Sequence, residues 1–171
     1  ATNATAIGYR SVASGAGAVS VGYGNQVSGA QSTAVGYANI VSGSHSGAFG
    51  DPNVVSGSGS YAIGNDNVIA ANNAFAMGNN ITIAAGNDGA VVLGDHSTAA
   101  GPNTVSVGAP GAERRITNVA PGTAPTDAVN MSQLQAAVGQ VGSAVGDLRN
   151  QMFDLRRTTG YGIAGATALA M

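Results

Sequence analysis

The chain has no cysteine and no tryptophan, and all six of its cationic side chains are arginines. Without cysteine there is no disulfide framework, no thiolate metal site and no thiol nucleophile. Charge is scarce too: 8% of residues are charged, where an ordinary globular domain carries about 25%. The net charge of −2 argues against a general nucleic-acid-binding or anionic-membrane surface. No apolar run approaches the roughly 20 residues that cross a bilayer, and no signal-peptide pattern is present. The two histidines, His45 and His96, lie three to four repeats apart, roughly 14–19 Å along a stack of strands, so they cannot share a metal within one chain. The acids Asp51, Asp66, Asp88 and Asp95 are single and scattered. No nucleophile elbow and no calcium-binding nonapeptide occurs. The segment GYGIAG at 160–165 matches a dinucleotide pattern but lacks the strand that the pattern needs before it. These absences point away from an enzyme and from any cofactor.

What the chain has in abundance is glycine, 27 residues of it, placed with a period. A glycine preceded by a large apolar residue recurs at Gly8, Gly22, Gly36, Gly50, Gly64, Gly78, Gly94 and Gly108. The spacing is 14 residues except for 16 between Gly78 and Gly94. Ile7, Val21, Val35, Phe49, Ile63, Met77, Leu93 and Val107 form the apolar column before it. Asn25, Asn39, Asn53 and Asn67 form a column three residues after it, and Val27, Val41, Val55, Ile69 and Ile83 one five after it. A second glycine follows seven on, at Gly15, Gly29, Gly43, Gly57 and Gly101. A fixed period of this kind is the signature of a solenoid. Fourteen residues hold two strands of about five residues and two tight turns. Stacking the repeats in parallel gives a thin β-roll in which like side chains form ladders, with the large apolar column as its expected filling and the asparagines bonded along their own column.

The period ends near residue 112. Residues 113–130, ERRITNVAPGTAPTDAVN, bring charge and Pro/Gly punctuation. Met131, Leu134, Val138, Val141, Val145, Leu148, Met152 and Leu155 then follow at spacings of 3 and 4, an a/d seam that means a coiled coil. Thr126 or Asp127 is the expected N-cap after Pro125. A thin roll buries little per turn and a coiled coil brings other copies alongside, so roll and coil together imply an obligate homo-oligomer. The seam residues do not choose between two and three strands.

The phrases SVGYGNQVSG and TAVGYANIVSG resemble the head repeats of YadA-like trimeric autotransporter adhesins. RRITNVAPGTAPTDAVNMSQL at 114–134 is similar to that family's neck, and RRTTGYGIAGATALAM at 156–171 to the start of its membrane anchor. The resemblance implies an all-β head, a left-handed parallel β-roll of 14-residue repeats forming a homotrimer, followed by an α-helical trimeric coiled coil. The division it implies is 1–112 head, 113–130 neck, 131–157 stalk and 158–171 the beginning of an anchor helix. Residue 1 falls in mid-repeat, as expected of an excised fragment. The implied function is attachment to host extracellular matrix or cells by multivalent display at the bacterial surface, with the outer membrane reached through anchor strands beyond this fragment. The alternative is a structural spacer or self-association module. A hexapeptide-repeat acyltransferase is excluded by the 14-residue period and the neck.

Three groups of residues are the expected sites. The seam just named forms the trimer core. Glu113, Arg114, Arg115 and Asp127 sit where a wide roll narrows to a thin coil and are expected to lock chains together through ion pairs. Tyr9, Tyr23 and Tyr37 follow the anchor glycine in three successive repeats, and Gly86–Gly89 holds the two-residue insertion with Asn87 and Asp88. The tyrosine stripe is either a column packed against a neighbouring subunit or an exposed ligand strip. The insertion is a second candidate ligand surface.

Overall fold

The computed structural model describes residues 2–169, the side chains of 162, 164, 165 and 167 excepted. The chain divides into two units, Ala1–Arg115 and Ile116–Met171.

The first unit is a β-roll built from two parallel sheets. The first strand of each repeat joins the larger sheet: β1 (Thr5–Ile7), β3 (Val19–Tyr23), β5 (Thr33–Tyr37), β7 (Gly47–Gly50), β9 (Tyr61–Ile63), β11 (Phe75–Met77), β13 (Val91–Leu93) and β14 (Val105–Ser106). The second strand joins the smaller one: β2 (Val12–Ala13), β4 (Gln26–Val27), β6 (Ile40–Val41), β8 (Asn53–Val55), β10 (Asn67–Ile69) and β12 (Thr82–Ile83). Each strand pairs with its copy one repeat on, so Val21 faces Val35 and Val35 faces Phe49. Across the insertion the register holds with a 16-residue step, Phe75 against Val91.

Apart from β3 and β5, which have the expected five residues, the strands are shorter, because the turns take more of the repeat. All the anchor glycines but Gly108 adopt left-handed backbone, φ +124° at Gly22 and +128° at Gly36, where a Cβ is strained. At Gly22 and Gly36 a Cβ would also meet the carbonyl oxygen of the next anchor glycine. The second glycine shares the stacking requirement without the φ. Gly15, Gly29 and Gly43 have ordinary φ, but an added Cβ would run into the carbonyl oxygen of the glycine one repeat on. At these three positions close stacking, not φ, demands glycine, whereas Gly101 farther along the column has a φ of +147°.

The interior also differs from the expected filling. The large column Ile7, Val35, Phe49, Ile63 and Met77 points outward and is 37–58% exposed. The core is made of Ala34, Ala48, Ala62, Ala76 and Val92 from one sheet against Val27, Val41, Val55, Ile69 and Ile83 from the other. A 14-residue coil brings its two sheets too close for two branched columns, so small residues oppose branched ones. Buried polar ladders run beside them. Asn39, Asn53 and Asn67 each donate Nδ2–H to Oδ1 of the asparagine one repeat back, at 2.9–3.1 Å, and to the carbonyl of Gly50, Gly64 and Gly78 at 2.7–2.8 Å. The backbone N–H of Ile81 donates to the last acceptor, Asn67 Oδ1. Ser32, Ser46 and Ser60 form a second ladder, each hydroxyl donating to a carbonyl at 2.8 Å. Among the described residues no buried side-chain polar atom lacks a partner.

The second unit is a loop followed by one helix, α1 (Met131–Leu169), 39 residues long. Its N-cap is Asn130, not Thr126 or Asp127. Asn130 Oδ1 accepts from the Gln133 N–H, and Gln133 Oε1 accepts from the Asn130 N–H, a reciprocal capping box. Gly139, Gly142 and Gly146 lie inside the helix, each costing up to about 1 kcal/mol relative to alanine. The seam residues are 50–67% exposed in the single chain. Such a helix has little reason to persist without a partner.

Candidate functional site

The outward columns of the roll are unequal. Around the turn that follows the anchor glycine, apolar residues lie on both flanks: Ile7, Val35, Phe49, Ile63 and Met77 on the larger sheet, Val12, Ile40, Val54 and Val68 on the smaller. Tyr61, also exposed, widens the strip on the larger sheet. The opposite turn is flanked on the smaller sheet by Ser14, Ser28, Ser42 and Ser56 and carries Gly17, Gln31, His45, Gly59 and Asn73. The smaller sheet is therefore apolar at one edge and polar at the other, while the larger sheet stays apolar toward both turns, with Val19, Tyr61 and Phe75 partly exposed beside the second.

Tyr9, Tyr23 and Tyr37 stand on the apolar edge and stack on one another, with ring centroids 5.2 and 5.1 Å apart. The Arg10 guanidinium lies 5.1 Å from the Tyr9 centroid. Rings stacked in this way spend their faces on each other and leave mainly edges and hydroxyls to a visitor. In the next repeats the column turns polar: the Asp51 N–H donates to Asn65 Oδ1 and the Asn65 N–H to Asn79 Oδ1.

The insertion is tied down. The Asn72 N–H donates to Asp88 Oδ1 at 2.9 Å, the Gly89 N–H to the Asn72 carbonyl, and Asn87 Nδ2–H to the Ala84 carbonyl. It sits on the polar edge, two rungs beyond Ser58. His45 and His96 occupy turns with left-handed backbone, φ 57° and 55°. His96 Nδ1 lies 2.9 Å from Asp95 Oδ2, and that hydrogen bond holds the exposed Asp95 carboxyl below its ordinary pKa.

Three of the four neck charges are engaged within their own chain. Arg114 reaches back over the last rungs and donates to Ser97 Oγ at 2.8 Å, the Val107 carbonyl at 3.0 Å and the Asp95 carbonyl at 2.7 Å. Along the turn column the Asn79 carbonyl accepts from the His96 N–H of the following repeat; at Asp95 the guanidinium fills that place. It packs so closely on Gly94 that an added Cβ there would meet it at 2.9 Å. Glu113 Oε1 accepts from the Gly111 N–H, which with its own backbone N–H lowers its pKa. Asp127 Oδ2 accepts from the Ala124 and Thr123 N–H groups at 2.9 and 2.8 Å, and these bonds hold its carboxyl below the ordinary value. The neck loop is also fastened to the start of α1: Gln133 bonds both backbone groups of Gly122 at 2.9 Å, and Asn130 Nδ2–H donates to the Val119 carbonyl. Between loop and helix lies an open groove of about 680 Å3 lined by Ile116, Val119, Val129, Met131 and Leu134 among others.

Roll and neck match known segments in the same order. Residues 1–25, 28–51 and 85–109 match the YadA head domain repeat, and residues 115–155 match the coiled stalk of trimeric autotransporter adhesins. The chain is 30% identical to the collagen-binding domain of the Yersinia adhesin YadA, a crystal structure that it matches with a TM-score of 0.52 over 73% of this chain and 76% of that one. The chain belongs to the YadA-like trimeric autotransporter adhesins. The family is one of structural adhesins, not enzymes, and its members are expected to be homotrimers.

Seen as a YadA-like head, the roll is more regular than the family matches alone suggest. Residues 52–84 fall between the matched head segments, yet Asn53 pairs with Asn67 and Phe75 with Tyr61 in unbroken register. In this YadA-like neck the residues that organise the loop, Asn130 and Gln133, were not singled out by charge. Their signal was the N-x-x-Q spacing of a capping box, overshadowed by the Pro125–Thr126–Asp127 run upstream.

Two outcomes are expected for the neck. Arg114→Ala removes three donors from the end of the roll and will lower the melting temperature of the head more than Arg115→Ala does, as followed by circular dichroism. Equal effects would remove the capping role. Asp127 has a folded pKa below its unfolded value, so its contribution is full above about pH 4 and is lost as pH falls through the depressed folded value. The amide shifts of Thr123 and Ala124 will move together with a carboxylate midpoint below about 3.9. A midpoint at or above that value would mean the turn does not hold the anion.

Proposed function

We propose that the chain is a homotrimeric adhesin head and stalk that attaches a bacterium to host extracellular matrix or cells from the outer-membrane surface. The observation that carries the reading is the contrast between the apolar outer face of the larger sheet and the serine-lined edge of the smaller one. Three copies related by a threefold axis bury the apolar strip and the exposed seam of α1 together, and the groove between neck loop and helix receives apolar side chains of a neighbouring chain. Arg115, the neck charge without an assigned intrachain role, is the remaining candidate for the interchain lock. The tyrosine stack then lies within or beside the subunit contact as a structural column. The polar edge, with its serine column and the Asn87–Asp88 insertion, faces outward in all three copies and is the ligand surface. Identical sites repeated along and around the head raise avidity for a repetitive matrix ligand. The collagen-binding activity named for the Yersinia protein makes collagen the first ligand to test.

The test is saturable binding of the trimeric chain to immobilised collagens, laminin, fibronectin and vitronectin, against residues 113–171 alone. Binding that needs residues 1–112 and weakens on Asn87→Ala/Asp88→Ala supports the reading. Binding no better than the control makes the head a spacer.

A further inference from the structure

Three of the six arginines fall between residues 149 and 157. Arg149 and Arg156 are one heptad apart, each directly after a seam residue, with Phe153 between them. Phe153 is off the seam, whose members here are Met152 and Leu155, and it is 56% exposed. The Arg149 guanidinium lies 5.7 Å from its ring centroid, and Arg149, Met152, Phe153 and Arg156 line a shallow hollow. Arg157 is paired with Asp154 at 3.3 Å, the one ion pair among the described residues of this stretch. Coiled-coil assembly buries the seam, Met152 included, and leaves the Arg149 and Arg156 head groups at its rim and Phe153 on the outer face of every copy.

The C-terminal end of the helix has the opposite character. Residues 158–171 contain no charged residue, and α1 continues through them to Leu169 with Tyr161 and Ile163 exposed. The uncharged part spans about 18 Å of helix, and no described helix is long and apolar enough to cross a membrane. Arginines outside any ion pair, an outward aromatic ring and then an uncharged helix make the order of a segment seated at a bilayer interface, where guanidinium groups meet phosphates and aromatic rings lie at headgroup level. The whole chain is acidic, so the attraction is local to this belt.

We propose that Arg149, Phe153 and Arg156 form a docking surface for phosphate-bearing anionic lipid headgroups at the base of the stalk. The proposal rests on the surface-anchored reading above but not on any matrix ligand. The test uses the whole 171-residue chain and sedimentation with vesicles of phosphatidylcholine, alone or mixed with phosphatidylglycerol. Mixed vesicles will bind at least about tenfold more tightly, and raising ionic strength from about 0.1 M to 1 M, which shortens the screening length from about 10 Å to 3 Å, will remove the difference. R149Q/R156Q will lose it while R149K/R156K keeps it. Because the chain has no tryptophan, Phe153→Trp is a single reporter, and its emission will shift to the blue on mixed vesicles only. Equal binding to both vesicles, indifference to R149Q/R156Q, or an unshifted tryptophan overturns the proposal; a tryptophan that responds instead to an acidic peptide identifies a protein partner and overturns it too. Helix content and solution mass of each variant confirm that the coil is intact, and matrix binding on the same preparation separates this outcome from failure of the adhesin reading.

Discussion

Replacing Asn53 with alanine will lower the melting temperature of the head more than any substitution of an exposed side chain. Asn53 is fully buried at the middle of the asparagine ladder. Its Nδ2–H groups satisfy Asn39 Oδ1 and the Gly64 carbonyl, and its Oδ1 accepts from both the backbone and the side-chain N–H of Asn67. Alanine leaves at least the part-buried Gly64 carbonyl and the buried Asn67 N–H without these partners. Each orphaned group costs about 1–3 kcal/mol, so the loss is on the order of 2–6 kcal/mol per chain before any loss of ladder cooperativity. Ser42→Ala, on the exposed serine column, is the comparison and should change stability by less than about 0.5 kcal/mol. The check is thermal unfolding by circular dichroism. A loss for Asn53→Ala no larger than that for Ser42→Ala would mean the ladder is decorative.

The second large effect concerns assembly. Ile63→Asp will reduce the solution mass from three chains toward one, whereas Ser42→Asp will leave three. Both residues are on the outside of the single-chain roll, so neither substitution disturbs its core. They differ in which edge they occupy. Ile63 lies in the apolar column between Phe49 and Met77, and an aspartate there would be buried without a partner in the proposed trimer, at a cost of several kcal/mol per chain. Ser42 lies on the edge proposed to face solvent. Light scattering reads the outcome directly. A trimer that survives Ile63→Asp and fails with Ser42→Asp would reverse the assignment of edges and move the ligand surface to the tyrosines.

The contrast between these two residues marks how far the sequence could be read. Ile63 and Val55 are both members of apolar columns, and a repeat pattern treats them alike. Only the pleat of each strand and the turn before it decide that Val55 points in and Ile63 out. The large column is therefore the filling that a repeat pattern suggests, while the larger sheet contributes mostly alanine, too small to announce itself, against Val27, Val41, Val55, Ile69 and Ile83. The two glycine columns look equivalent in the sequence as well. A carbonyl of the next repeat stands over both Gly29 and Gly36, and only the φ of +128° at Gly36 adds a backbone requirement to the packing one. In the neck, charge drew attention to Arg114 and Asp127, but not to the acceptors and donors they reach. Arg114 closes on Asp95, 19 residues away, and nothing local encodes that distance.

The sequence alone determined that the chain is a stack of 14-residue repeats followed by a heptad helix, because period is a property of residue order and survives without coordinates. It also determined the asparagine ladder, since like residues at one period must meet when repeats stack in register. Only the tertiary structure decided which columns line the interior, which edge is apolar, that the tyrosine rings spend their faces on each other, and that Arg114 caps the last rung. Those outcomes depend on the direction in which each Cα–Cβ bond leaves a turn, and on contacts between residues that the chain brings together only by coiling.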